Sequence, residues 1–442
     1  MTNIFKQFWI ALLAKINYLK NAFRKMPADT HEQQYDDIHT LNWLAIAANK
    51  LTNLSCNEAT FDVSSDSGNA NPLKSLVKDT EKHRFDIVNG MLADGDYFVF
   101  PSTDSAGNIY HSYLSADLVR ITATDGEKIT EAYAIIDYVQ PNKDRTTAFF
   151  LLRHHKLDGD TLTVSYTVQD QNGNQAQTDY WSDLQSTEIR YTGAVNIGFG
   201  RYKSPKDSRG LSPIYGVPLN FGCCDIENKV NETIAQIEYE YRNSQSKIFT
   251  DPRNVQEGNN GYKFAENIFP IKRNSGDNAP QIEIFNPAIR SSEHWEKLQQ
   301  YLALYEQSIG VSRGIFTDNS ATDTATATAV RRSNSDTMAM INSIHNAIDD
   351  GNMMLLDADA MYLQIRGDIW QYKSDYYDPF ADPTEQWQML LQAQQAGAAE
   401  AEDLIRWVNP SLSDEEIADK VSRISAATQD SQQSAIIRAL NM

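Results

Sequence analysis

The sequence predicts an α+β chain in which helices and strands fall in separate blocks rather than alternating. Three observations carry this. Between Tyr97 and Tyr191, short β-rich runs follow one another with turn residues between them. Later, two runs with apolar residues every three or four positions, residues 218–244 and 291–311, frame a second β-rich passage. A further run, residues 323–363, keeps helical spacing but opens on Ala, Thr and Ser.

The bulk properties bound what such a chain can be. Its 442 residues allow two or three domains with sizeable cores. Apolar residues make up 41% and charged residues 22%, so most of the chain is expected to be globular. A net charge of −20 argues against tight static binding of nucleic acid, which needs basic surface. Plain solubility accounts for most of it, although an acidic surface can also suit a channel through which DNA must slide without sticking. The three cysteines, Cys56, Cys223 and Cys224, provide neither a disulfide framework nor zinc-ligand spacing, so a reducing site of synthesis is expected. No apolar run approaches a membrane span.

Taken in order, residues 1–29 form a basic arm. Lys6, Lys15, Lys20, Arg24 and Lys25 interrupt its apolar residues, and no acid occurs before Pro27. Lysines within the run and the lack of a small-residue cleavage site argue against a signal peptide. An amphipathic basic helix can lie on a membrane, on nucleic acid or on an acidic partner. With the rest of the chain so acidic, a neighbouring subunit is the first choice.

Residues 30–217 are expected to form one α+β region. A helix carries Ile38, Leu41, Leu44, Ala48 and Leu51 and breaks at 53–56; a strand follows at 59–63, then a loop at 64–71. A second helix, 72–92, places Leu76, Thr80, Phe85, Val88 and Leu92 near one face. The runs YFVFPS, DLVRITAT, EAYAIIDYV, TAFFLLRHH, LTVSYTVQD and EIRYT then read as strands. DGE at 125–127, LDGD at 157–160 and QNGN at 171–174 read as hairpin turns. Such a series makes an antiparallel sheet or a small barrel. Gly198 and Gly200 form a lone G-x-G without the continuation a phosphate loop requires.

Pro218 opens a helix whose stripe is Leu219, Cys223, Ile226, Val230, Ile234, Ile237 and Tyr241. Residues 245–290 are rich in Gly, Asn and Pro, with short strands at KIFT, YKFAE, IFPIKR and QIEIFN, and six basic residues against five acidic. The next stripe is Trp295, Leu298, Leu302, Tyr305 and Ile309, closed by Gly310. A polar loop, 312–322, leads to the long helix with Thr337, Ile341, Ile344, Ile348, Leu355 and Tyr362 on one face. Small residues at its start suit close packing. From 347 to 442 there are 17 acidic and six basic residues, with helices at 387–396, 398–408 and 413–426. Ser413-Asp414-Glu415-Glu416 is a strong helix start.

Several segments resemble the portal proteins of tailed bacteriophages, of the Gram-positive siphovirus type. TATATAVRRSNSDT, Thr324–Thr337, is similar to the threonine–alanine start of the family's long helix, although Ala329 stands where the family usually has Glu. The Ala93-Asp94-Gly95 turn and ADLVRI at 116–121 match early strand passages. Phe199 to Pro205, followed by Gly210-Leu211-Ser212-Pro213, resembles the family's approach to its first stem helix. Asn409 to Glu416 resembles a passage in its C-terminal helices. The segments occur in the family's order from about Thr30 to Ile424.

The resemblance implies a wing (30–217), a first stem helix (218–244), a clip (245–290), a second stem helix (291–311), a tunnel loop (312–322), a long helix returning to the wing (323–378) and a helical crown (379–442). It implies a ring, dodecameric in the family, with double-stranded DNA sliding through it. Expected partners are the terminase large subunit, the major capsid and scaffolding proteins and a head–tail adaptor. No membrane partner and no cofactor are expected, and the chain should be assembled in the host cytoplasm and end in the virion. Arg313, Asn319, Ser320 and Thr322 are the candidate DNA-channel residues. Lys247, Arg253, Lys263, Lys272 and Arg273 are candidate clip-surface residues. Ile226, Val230, Ile234, Ile237, Leu298, Leu302 and Tyr305 are candidates for packing between subunits.

No catalytic or metal site is legible. H-E-x-x-H, G-x-S-x-G and P-loop motifs are absent, and adjacent His154 and His155 would point to opposite faces of a strand. The chain is therefore expected not to be an enzyme. A minor capsid or head–tail adaptor protein without a DNA channel is the alternative, and the helix–β–helix block at 218–311 is what separates the two. A carbohydrate-acting enzyme is the more distant rival and would need a pocket with paired carboxylates.

Overall fold

The computed structural model describes residues 41–65, 71–103, 108–140, 148–184, 187–208, 214–244, 246–250, 268–270, 282–285, 288–318, 332–365, 370–380, 383–409 and 416–424. The architecture is α+β, and the chain divides into two compact units.

In the first unit, α1 (Trp43–Cys56) starts at Asn42, whose side chain accepts from the Ala45 amide at 3.0 Å. The helix does not break at residue 53 as expected. Ser55 Oγ and Cys56 Sγ both donate to the Thr52 carbonyl, so these polar side chains are satisfied inside the last turn. Strand β1 (Thr60–Ser65) follows. The single helix expected at 72–92 is two, α2 (Asn71–Lys82) and α3 (Arg84–Asp94). At the junction the Arg84 guanidinium gathers the carbonyls of Cys56, Glu81 and Asn57, and it is this clamp that turns the chain.

Strands β2 (Asp96–Thr103), β3 (Ile109–Ser115) and β9 (Gly200–Lys203) form one antiparallel sheet in the order β3-β2-β9. Strands β4 (Val119–Asp125), β5 (Lys128–Val139), β6 (Phe149–Asp158), β7 (Thr161–Asp170) and β8 (Glu188–Thr192) form an open antiparallel meander. The barrel alternative does not occur: the order runs β4 to β8 with an edge at each end. The DGE and LDGD turns close two-residue hairpins, pairing Asp125 with Lys128 and Asp158 with Thr161. QNGN does not lead directly into a strand. The Asp170 carboxylate accepts from the Asn172 and Asn174 amides, which makes a local turn before a longer excursion to β8. His154 and His155 do face opposite ways: His154 bonds Glu131 at 2.9 Å, while His155 is fully buried against the Ile197 carbonyl at 2.7 Å.

Helix α4 (Cys224–Asn243) leads to a small sheet of β10 (Lys247–Thr250), β11 (Ile268–Pro270) and β12 (Ile282–Phe285). Its order is β11-β10-β12, parallel on one side and antiparallel on the other. The expected YKFAE strand lies outside the described residues. Helix α5 (Ser291–Ile309) returns from this sheet, and α6 (Ser335–Tyr362) follows. Strand β13 (Trp370–Asp375) then pairs antiparallel with β1, closing the chain onto its own beginning.

Helix α6 is the spine of this unit. Its buried face carries Thr337, Ile341, Ile344, Ile348 and Leu355, as the spacing predicts. It crosses β9 where two glycines meet. A Cβ on Gly200 would stand 2.7 Å from the Leu355 Cβ, and one on Gly351 would stand 2.4 Å from the buried Tyr202 ring. The second glycine of the G-x-G thus opens a strand and makes room for the helix, rather than forming part of a phosphate loop. Polar groups lock the same crossing. Tyr202 donates to Asn352 at 2.7 Å, Asn352 to Tyr372 at 2.7 Å, and Asp349 accepts from Tyr372, Ser374 and Tyr376.

The second unit holds α7 (Pro383–Gln395), α8 (Ala401–Val408) and a helix at 416–424. Helix α8 starts later than expected because Glu400 and Asp403 form a reciprocal capping box, with the Glu400 amide donating to Asp403 at 2.8 Å. Trp387 and Trp407 pack at 5.2 Å between centroids, and Leu404 and Ile417 are buried.

Candidate functional site

The two candidate stem helices pack on each other as an antiparallel hairpin. At the far end the Glu240 carboxylate of α4 accepts from the Arg290 amide at 3.0 Å and from its guanidinium at 3.2 Å, and also bonds His294. The Arg290 side chain holds Glu240 well below the ordinary carboxylate range, at about 2. Farther along, Lys297 donates to Gln236 at 2.9 Å. Val230, Leu298 and Leu302 then form a buried cluster with Ile234 and Ile237 packed against it.

Within the chain, the residues expected to pack between subunits fall into two groups. Val230, Ile234, Ile237, Leu298 and Leu302 cover one another within one chain, and Ile226 and Tyr305 pack into the main core. The two stripes point inward because each is the other's nearest apolar surface. Their outermost members are exceptions: Tyr241 is 49% exposed and Trp295 52%. Ile226, Ile234 and Ile237 are only half-buried.

At the near end of the hairpin, Gly310 ends α5 in the left-handed conformation at φ 85°, its amide reaching the Glu306 and Gln307 carbonyls. Beyond it, the chain folds back along α5. The buried Glu306 side chain accepts from the amides of Gly314 at 3.2 Å, Phe316 at 2.6 Å and Thr317 at 2.9 Å. The Thr317 hydroxyl adds a bond at 2.9 Å. Gln299, two turns earlier on α5, accepts from the Asp318 amide at 2.9 Å. Ser312 and Thr337 exchange bonds, amide to hydroxyl in both directions, at 2.9 and 3.2 Å. The Phe316 ring packs on Tyr305 at 5.9 Å.

Arg313 is exposed on this turn. It borders a cleft of about 680 Å³ with Gln307, Asp336, Met340 and Ser343. Asn319, Ser320 and Thr322 lie outside the described residues. Of the clip cations, Lys247 is half-buried on β10; Arg253, Lys263, Lys272 and Arg273 lie outside the described residues. Sequence reasoning missed Glu306 and Gln299, whose spacing of seven puts them on one helix face. It took Thr337 for packing alone. An acid immediately beside the apolar Tyr305 position was the available signal.

Burial shifts two further groups. It raises the Asp359 carboxyl against the opposing pull of His111, 3.1 Å away, and pushes the Cys56 thiol up to about 11. Among the described residues, no group of three or more His, Cys, Asp and Glu side chains is placed to hold a metal ion, and no helix is long and apolar enough to cross a membrane.

No protein-family model matches the sequence. No curated protein matches it. Among solved structures, a chain of the virion of a native gene transfer agent particle aligns with 90% of this chain and 97% of its own length, at 12% identity and a TM-score of 0.40.

Proposed function

We propose that this chain is a virion structural protein, and more finely the portal subunit of a tailed phage, forming a ring at one capsid vertex through which the genome enters and leaves. The observation that carries this reading is the α4–α5 hairpin with a three-stranded sheet at one end and a folded-back loop root at the other. A portal needs all three in that order: a rigid stem, a clip outside the capsid for the motor, and a loop directed into the channel. A head–tail adaptor needs no such block. The order of the sequence segments resembling the portal family supports the same reading.

In this mechanism the chain supplies geometry rather than chemistry. The hairpin is a stiff strut because apolar contacts fill its middle and the Glu240 clamp closes its end. Excess negative charge keeps the phosphate backbone from binding the channel wall, so DNA slides. The energy for movement comes from a separate terminase, which docks on the clip and is later replaced by the head–tail adaptor. The protein has no catalytic role of its own.

The test is imaging of the purified chain by negative-stain electron microscopy, with a binding assay against the cognate terminase large subunit. Rings with a central opening that bind the terminase support the portal. Rings that bind only tail components indicate an adaptor, and single subunits overturn both.

A further inference from the structure

We infer that Glu306 is the positioning residue of the turn at the near end of the hairpin: its carboxylate templates residues 314–317 and so fixes the backbone up to Asp318. That this turn roots a channel loop rests on the portal reading, whereas the templating itself does not.

Three features support this. Glu306 is fully buried, and among the described residues no cation pairs with it; its partners there are three backbone amides and the Thr317 hydroxyl. A buried carboxylate is tolerated only when such donors replace its hydration. The donors come from a segment with no regular hydrogen-bonding partner of its own, so the acid supplies what a strand or helix would otherwise supply. Finally, Gln299, seven residues earlier on the same face of α5, holds the next amide, Asp318, so consecutive amides are fixed from two points on the helix.

Arg313 sits between the Ser312–Thr337 staple and this template. Its place beside the cleft is set by both.

The experiment is amide hydrogen exchange on the full-length protein, wild type against Glu306→Gln and Glu306→Asp, with native mass recorded on the same samples. Glu306→Gln keeps the side chain's volume but removes the charge and turns an acceptor into a donor. Exchange over residues 314–318 should accelerate by about 10- to 100-fold, the loss expected when hydrogen bonds to a charged group are broken. Peptides from the middle of α5 and from α6 should be unchanged, and Glu306→Asp should restore part of the protection. Thr317→Val removes one donor from the loop side. It should give the same local pattern more weakly, even if Glu306→Gln fails to fold. Unchanged exchange over 314–318, or equal acceleration throughout the hairpin, overturns the inference. A monomeric mass for the wild type instead defeats the portal reading and leaves the templating to be judged by exchange alone.

Discussion

Replacing Gly351 by Ala tests whether α6 is seated on β9 as described. The new methyl would lie 2.4, 2.6 and 2.9 Å from three atoms of the Tyr202 ring, where ordinary carbon contacts are about 3.5–4.0 Å. The ring has nowhere to go. It is fully buried, and its hydroxyl is held by Asn352 at 2.7 Å. Helix and strand must separate by roughly 1 Å, and overpacking of this kind costs about 1–3 kcal/mol. Straining the Asn352 bond adds about 1 kcal/mol, and the better helix propensity of Ala returns about 1 kcal/mol. The net destabilisation is about 2 kcal/mol. Gly90→Ala is the matched control. Its methyl would also meet a tyrosine ring, Tyr97, at 2.3 Å, but that ring is partly exposed and can swing toward solvent. Propensity then offsets the contact, and the net change is near zero. Urea unfolding followed by circular dichroism should place the Gly351→Ala midpoint clearly below that of Gly90→Ala, with similar slopes. If Gly351→Ala is as stable as Gly90→Ala, the seating of the helix on the strand is wrong.

Three further outcomes are expected. Leu302→Ala should destabilise the hairpin by about 2–5 kcal/mol, read by the urea midpoint. Because Leu302 faces Val230 and Leu298 of its own chain, native mass should not change; a loss of assembly without a loss of stability would return Leu302 to an interface. Glu240 has a folded-state pKa of about 2, below its unfolded value of about 4.5, so its contribution is present above pH 4.5 and is lost as pH falls toward 2. Hydrogen exchange should show the start of α5, residues 291–294, loosening in that window before the middle of the hairpin, and Glu240→Gln should abolish the pH dependence there. Burial drives His155 well below its ordinary value, so it stays neutral in the fold while the unfolded chain takes a proton below about pH 6.5. Stability should therefore fall on acidification below that pH with a slope approaching 1.4 kcal/mol per pH unit from this residue, and His155→Gln should reduce the slope measured by urea titration between pH 6.5 and 5.

What was legible in the sequence followed from local periodicity. The strands β4 to β8 and the buried face of α6 announce themselves, because alternation and three–four spacing are properties of neighbouring residues. The short strands β10, β11 and β12 within residues 245–290 were legible for the same reason. Elements whose stability comes from distant partners were not. Strand β13 exists because β1, some three hundred residues earlier, offers it an edge. Strand β9 hides in a glycine-rich passage because its glycine is an accommodation to α6 rather than a strand signal. The stripes of α4 and α5 were read correctly as apolar faces, but nothing in a stripe says whether its cover is a second copy or the next helix of the same chain. Of the candidate site, Arg313 could be named from its loop. Glu306 showed only as an acid beside an apolar position, because its donors are backbone amides, which every sequence has and no residue type reveals.

The central claim is that copies of this chain close into a ring, and native mass spectrometry of the purified protein tests it most directly. Twelve copies of a 49.9 kDa chain come to about 600 kDa. The account predicts a closed assembly at that mass, or one subunit to either side of it, persisting on dilution. A species that stays at 49.9 kDa at high protein concentration and low salt would contradict it.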